Sequence, residues 1–180
     1  MTNTIKWQRL TDEAVIPKKA HPTDAGMDMH VIVKRNGEFT PKTNKSPAFG
    51  TEVNFDTVWD PDLGTSSDAV TVFPHQTVIL HTGLKCAVPE GFYLEVNPRS
   101  SAGFKRDLML ANTTGVIDSH YRGELMVAIH NNGAVPRQIC DGERLVQCML
   151  KKVEDVENVE VDELDVTDRG EGGFGSTGTN

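Results

Sequence analysis

The stretch VTVFPHQTVILHTGLKCAVPEGFYLEVNPRS, residues 70–100, constrains the fold more than any other part of the chain. Short β-branched and aromatic runs alternate there with Pro, Gly and Asn, the punctuation of successive strands. ELMVAIHN (124–131) is a nearly continuous apolar run of buried-strand length. ERLVQCMLKKVEDVENVEV (143–161) opens as a strand and ends in alternating apolar and acidic residues. Long amphipathic helical periodicity is absent, and the best helix candidate is the brief SAGFKRDL (101–108). Many short strands separated by turns imply an all-β sandwich, jelly roll or distorted barrel. At 180 residues the chain is expected to form one domain with a hydrophobic core of its own.

Residues 34–69 differ in composition, being rich in Pro, Gly, Asn, Ser and Thr. Trp59, Phe39, Phe49, Phe55, Val53 and Val58 argue for partial order there, so the segment is expected to be a surface excursion, hairpin-like, within the domain. The acidic run at 154–165 reads as a solvated face. A formal net charge of −8 argues against a nucleic-acid partner, whose phosphates require a basic surface. The three cysteines, Cys86, Cys140 and Cys148, form no C-x-x-C pair and no zinc-ligand spacing, which suggests core thiols in a reducing compartment. The N-terminal MTNTIKWQRL lacks the apolar run of a signal peptide, and no apolar stretch is long enough to span a bilayer. The expected location is cytoplasmic, with no membrane partner.

Four internal stretches could carry chemistry. PRSSAGFK (98–105) follows a strand and places hydroxyls, backbone amides and the Arg99 cation at the expected helix start. It is either an anion site or an ordinary N-cap formed by Ser100 or Ser101. GVIDSHYRGEL (115–125) sets Asp118 after an apolar pair; the carboxylate either activates water or makes an Asx-type turn bond. AHPTDAGMDMH (20–30) contains Asp24 and Asp28, in a turn leading to a strand or, at Asp28, beside a hydrated magnesium ion. GERLVQCM (142–149) places Gln147 within a strand, where an amide needs partners if it is buried and none if it lies at an exposed edge.

A fifth stretch, RGEGGFGSTGTN (169–180), includes Gly170-x-Gly172-x-x-Gly175, the spacing of a dinucleotide fingerprint. The fingerprint needs a βαβ unit, and none precedes it. A floppy glycine-rich tail is one reading. The other is a nucleotide-binding arm, because Arg169, Phe174, Ser176 and Thr177 offer a cation, a stacking ring and two hydroxyls.

Taken in order, the five stretches resemble the five motifs of the trimeric dUTPases. Ala25-Gly26-Met27-Asp28-Met29 is similar to Ala-Gly-x-Asp-Leu, and Pro98-Arg99-Ser100 to Pro-Arg-Ser-Gly, with Ser101 in the glycine's place. Gly115 through Gly123 resembles Gly-Val-Ile-Asp-x-Asp-Tyr-Arg-Gly, with His120 replacing the second Asp. Gly142-Glu143-Arg144-Leu145-Val146-Gln147 resembles Gly-Asp-Arg-x-x-Gln, and Arg169 through Gly178 fits Arg-Gly-x-Gly-Gly-Phe-Gly-Ser-Thr-Gly at every specified position. The 34–69 excursion falls outside the usual layout, as an insertion between the first two motifs.

The resemblance implies a distorted jelly roll of the β-clip type, with residues 1–168 as the body and 169–180 as a mobile arm closing over a site shared among subunits of a homotrimer. The implied reaction is dUTP plus water giving dUMP and pyrophosphate, with Mg2+ on the triphosphate. By the same resemblance Asp118 orients and activates the water. Gln147 contacts it or the α-phosphate, and Arg99, Ser100 and Ser101 bind phosphates. Tyr121 packs beneath the deoxyribose and excludes a 2′-hydroxyl. Main chain from Gly123 to Met126, helped by Asn112, reads uracil. Arg169, Ser176 and Thr177 clamp the outer phosphates, Gly175 lets backbone amides approach them, and Phe174 stacks on the base. Asp28 holds the metal through water.

The Ser101 departure also resembles the related dCTP deaminases, which carry a catalytic Glu three residues before an Asn in the strand after the third motif. Counting back from Asn131 gives Ala128. The absence of His-x-Glu and Pro-Cys-x-x-Cys argues against a zinc deaminase. A regulatory protein partner at 34–69 is a further alternative, which need not exclude catalysis.

Overall fold

Pro and Gly divide residues 70–100 into strands much as their spacing implies. In the computed structural model, which describes residues 3–43, 53–60 and 65–173, three strands lie wholly in this stretch: β6 (Thr77–His81), β7 (Leu84–Ala87) and β8 (Phe92–Pro98). Gly83 makes the turn between β6 and β7 at φ 65°. A Cβ at that glycine would stand 2.8 Å from Ile32 Cδ1 and 3.1 Å from Ala14 Cβ, so both backbone and packing require glycine there.

The remaining strands are β1 (Lys6–Arg9), β2 (Met27–His30), β3 (Lys42–Thr43), β4 (Asn54–Asp60), β5 (Thr65–Val72), β9 (Leu108–Leu110), β10 (Gly115–Ile117), β11 (Met126–Asn131), β12 (Arg137–Cys140) and β13 (Arg144–Lys152). They pair antiparallel in four sheets, ordered β1-β7, β10-β8-β13-β2, β3-β6-β11-β9 and β12-β5-β4. One short helix, α1 (Ser100–Arg106), interrupts them. The arrangement is all-β, as the strand spacing implies, and it is the distorted jelly roll that the resemblance implies. Alternation sets the core: Leu94 and Val96 of β8, Val127 and Ile129 of β11, and Val146 and Cys148 of β13 are buried together with Met29, Leu80 and Leu110.

Three boundaries differ from the sequence expectation. The helix begins at Ser100 and ends at Arg106, because Asp107 adopts φ 56°, a left-handed C-cap, before β9 resumes extended structure. The last strand ends at Lys152, and residues 153–166 carry no regular structure, leaving the valines as exposed as the acids between them. Within 34–69, β4 and β5 form a hairpin with Asn54 opposite Thr71 and Asp60 opposite Thr65. Its far end is not surface: β5 also pairs with β12, Ala69 is fully buried, and Val53 and Phe55 pack on the core.

Candidate active site

The antiparallel triplet β8-β13-β2 carries most of the first cleft. β13 runs between its neighbours and sets Gln147 opposite Asn97 of β8 and Asp28 of β2. Gln147 is therefore flanked on both sides, not placed at an edge, and its Nε2 donates to the Pro98 carbonyl at 3.2 Å. Gly26 leaves room for it: a Cβ there would lie 2.3 Å from Gln147 Oε1.

Arg99 leaves β8 with its N–H donated to the Leu145 carbonyl at 2.9 Å. Its Nε lies 3.0 Å from Asp28 Oδ1, and its Nη1 donates to the Arg144 carbonyl at 3.1 Å. Arg144 Nη1 reaches the other Asp28 oxygen at 3.2 Å. Asp28 is thus clamped by two guanidinium groups, one on each carboxylate oxygen. Asp24, Gly26, Asp28, Arg99, Ser100 and Gln147 face a cavity of about 370 Å³. Arg99 occupies the N-cap of α1 and no side-chain bond caps the helix, so the Ser100 and Ser101 hydroxyls do not cap it. Both serines are exposed, and only Ser100 lines the cavity.

A second, mostly apolar cleft of about 160 Å³ opens between β10 and β11, walled by Leu110, Asn112, Val116, Ile117, Met126 and Ala128. β10 is held to β8 with Ile117 opposite Leu94. Asp118 is the first residue beyond that pair and is exposed. Its carbonyl accepts the Tyr121 N–H at 3.1 Å, while no hydrogen bond or ion pair among the described residues engages its carboxylate. An Asx-type turn bond is therefore not its role here. The loop holds itself: Arg122 Nη1 donates to the carbonyls of Ser119 at 2.6 Å and Tyr121 at 2.7 Å. The Tyr121 hydroxyl donates to the Glu124 carbonyl at 2.9 Å. Gly123 must lack a side chain, since its Cβ would stand 2.4 Å from the Tyr121 oxygen.

The fold brings Asp28, Arg99, Ser100 and Gln147 together in one cleft, and Asn112 and Met126 in the other; no residue lines both. Asp118, Tyr121 and Gly123 stand on the loop between β10 and β11, outside the walls of either. Arg169 is joined to its own turn, its Nε donating to the Gly172 carbonyl at 2.9 Å. Phe174, Gly175, Ser176 and Thr177 lie outside the described residues.

Sequence reasoning missed Arg144 as a partner of Asp28, because only the β13–β2 register brings positions 116 residues apart within reach. Burial pushes the Cys86 thiol up to about 11. Burial first, then Cys86 nearby, pushes Cys148 up to about 12. Neither is a nucleophile at neutral pH. Among the described residues no three His, Cys, Asp or Glu side chains gather as a metal cage, and no helix is long and apolar enough to cross a membrane.

The dUTPase family model matches residues 62–178. The deoxyuridine 5′-triphosphate nucleotidohydrolase of Picosynechococcus sp. is 30% identical over 95% of this chain and 96% of its own length. That of Fusobacterium nucleatum is 37% identical over 82% of this chain and 94% of its own. Among solved structures, a Staphylococcus bacteriophage 80alpha dUTPase mutant with dUpNHpp superposes with a TM-score of 0.71 at 23% identity, covering 99% of this chain and 100% of that one.

Proposed function

This chain belongs to the dUTPase family, and we propose that it hydrolyses dUTP to dUMP and pyrophosphate. The observation that carries the reading is Asp118: an exposed carboxylate, free of partners among the described residues, standing at the end of β10 next to the apolar cleft. In the proposed reaction it takes a proton from water as the water oxygen bonds to the α-phosphorus and the bond to the pyrophosphate oxygen breaks. The apolar cleft offers a base a floor of Leu110, Ile117 and Ala128, with Asn112 and the start of β11 at its wall. Arg99, Ser100 and Gln147 face the other cleft as donors for phosphate oxygens. The reaction would remove dUTP from the DNA precursor pool and release dUMP for methylation to dTMP.

Magnesium belongs to this proposal as part of the substrate, arriving on the triphosphate with most of its waters. Asp28 does not fit as a direct ligand, because both its oxygens already accept from arginines. We assign it the orientation of Arg99.

The clefts share no wall within one chain, which supports sites completed between copies in a homotrimer. The exposed side chains of Val156, Val159, Val161, Leu164 and Val166 add to that argument. They alternate with acids, and a cavity of about 390 Å³ lined by Lys6, Trp7, Lys85 and Arg122 has complementary charge. The division into a body through residue 168 and an arm from 169 is part of the same proposal. It is supported by the Arg169 turn, whose bonds stay within residues 167–172. Deamination is not favoured: Ala128, on the cleft wall, has no acid–base group to offer.

Release of pyrophosphate from dUTP, compared with UTP, dTTP and dCTP, tests the proposal. Turnover of dUTP with little from the others is expected. Ammonia from dCTP, or no pyrophosphate from dUTP, would overturn it.

A further inference from the structure

Tyr121 is 42% exposed, so core packing does not fix its ring. Its orientation depends on the hydroxyl bond to the Glu124 carbonyl and on its approach to Gly123. What holds Glu124 therefore holds Tyr121. The Glu124 side chain turns inward against the end of β6, where Oε2 lies 2.8 Å from His81 Nδ1 and Oε1 accepts the Gly83 N–H at 2.9 Å. His81 is 4% exposed, and its Nε2 is buried without a hydrogen-bond partner. The Phe39 ring meets the imidazole edge-on, with centroids 5.8 Å apart. The next residue is bolted to the same corner: Thr82 Oγ1 donates to the Leu125 carbonyl at 2.6 Å, and Leu125 N–H donates to the Leu84 carbonyl at 2.8 Å.

A carboxylate only accepts, so the proton lies on His81 Nδ1 and the ring serves as a directional donor. A buried histidine–carboxylate pair is a poor way to gain stability, because desolvation offsets most of the attraction. It is a good way to fix direction. Glu124 can satisfy His81 and the Gly83 amide together in one backbone placement, and that placement aims its carbonyl at the Tyr121 hydroxyl.

We propose that His81 and Glu124 are positioning residues that hold Tyr121 in place and thereby set discrimination between deoxyribose and ribose nucleotides. The proposal rests on the sugar-packing role given to Tyr121 above. Neither side chain touches substrate; both act through the tyrosine.

The chain has two tyrosines, so fluorotyrosine labelling gives two 19F resonances, with Tyr93 as internal reference. Glu124→Ala and His81→Leu remove the anchor. His81→Asn keeps an N–H donor near the Nδ1 position. In Glu124→Ala and His81→Leu the Tyr121 resonance is expected to shift or broaden while that of Tyr93 stays, and the dUTP:UTP ratio of kcat/KM to fall by about tenfold, the effect of losing roughly 1.4 kcal/mol of discrimination. His81→Asn should restore both. A merely structural role would lower both substrates together and leave the ratio unchanged, which would overturn the proposal. So would an unshifted Tyr121 resonance. If Glu124→Ala fails to fold, seen as loss of the native Tyr93 resonance, the two His81 variants decide. The NMR readout needs no turnover, so a wild-type protein inert toward dUTP would defeat the proposed function and still leave the positioning claim testable.

Discussion

The cleft lined by Asp28, Arg99 and Gln147, proposed to take the phosphates, and the loop from Asp118 to Glu124 are built on opposite principles. In the cleft, Asp28, Arg99, Arg144 and Gln147 come from distant parts of the sequence and meet because three strands share a register. Their contacts are cross-strand ion pairs and a side-chain bond to the Pro98 carbonyl. In the loop, the bonds made by Tyr121 and Arg122 span three residues or fewer. One region has its geometry imposed by the sheet, and the other folds on itself and is tied to the sheet at its ends. Side chains in the first are already engaged with each other. The Asp118 carboxylate of the second is left open among the described residues, which suits the proton-accepting role proposed for it.

The largest expected effect tests that contrast at the loop. Asp118→Asn keeps the side-chain shape and removes no bond seen among the described residues, so melting should be unchanged within about 0.5 kcal/mol. Turnover of dUTP should nevertheless fall by about 10²–10⁴, the range for losing a general base. Near wild-type turnover would make Asp118 an ordinary loop residue and erase the functional side of the comparison. On the cleft side, Gly26→Ala forces Gln147 Oε1 away from a Cβ that would otherwise sit 2.3 Å distant. The obstructing atom ends a flexible side chain, so the strand should survive. If Gln147 has the role proposed for it, misplacing it by about 1 Å is expected to slow turnover up to about 10²-fold. A crystal structure showing Gln147 displaced, with Tm little changed, would confirm that the sheet sets its position.

How much of this was legible in the sequence follows the same divide. The loop was readable because its bonds are local: Gly-Val-Ile-Asp ahead of Tyr-Arg-Gly already places the carboxylate after a strand and the ring before a glycine. The strands of the core were readable from alternation and from Pro and Gly. The Asp28–Arg144 contact was not, because it depends on a register that also shifts between Arg144 and Val146, and a bulge has no clear local signature. The junction of β5 with β12 was hidden for another reason: a polar, turn-rich composition masks the buried Ala69 at the end of the excursion. His81 and Glu124 lie on separate elements, and nothing in their neighbours' identities announces that they meet.

Asp28→Asn sharpens the cleft side at smaller magnitude. Hydrogen bonds to charged groups contribute about 1.5–3 kcal/mol, so loosening Arg99 should raise KM for dUTP by roughly 10- to 100-fold with a smaller change in kcat. If Asp28 instead served the metal, the dominant change would be a higher magnesium requirement at fixed dUTP. Titrating both ligands separates these outcomes, and a metal effect without a KM effect would overturn the clamp.

The smallest expected effect is on turnover itself, which thiol labelling should leave alone until the strands open. Cys148 follows Gln147 in β13, is fully buried, and lies opposite Met27 of β2 and Val96 of β8. Cys86 is also buried but belongs to β7, whose partner Trp7 lies in the two-stranded β1-β7 sheet. The thiolate is the reacting species, and burial raises both thiols, to about 11 for Cys86 and about 12 for Cys148. Labelling near pH 8 must therefore wait for local opening, and its rate reports the opening free energy of each sheet. Cys148 should label more slowly than Cys86, because exposing it breaks pairing on both sides of a central strand, whereas exposing Cys86 parts a single strand pair. Mass spectrometry of the two peptides over time reads the order directly. Faster labelling at Cys148 would mean that the sheet beneath the Asp28–Arg99 cleft is the looser one, and that the geometry the sheet imposes there is not held by a tighter strand carrying Gln147.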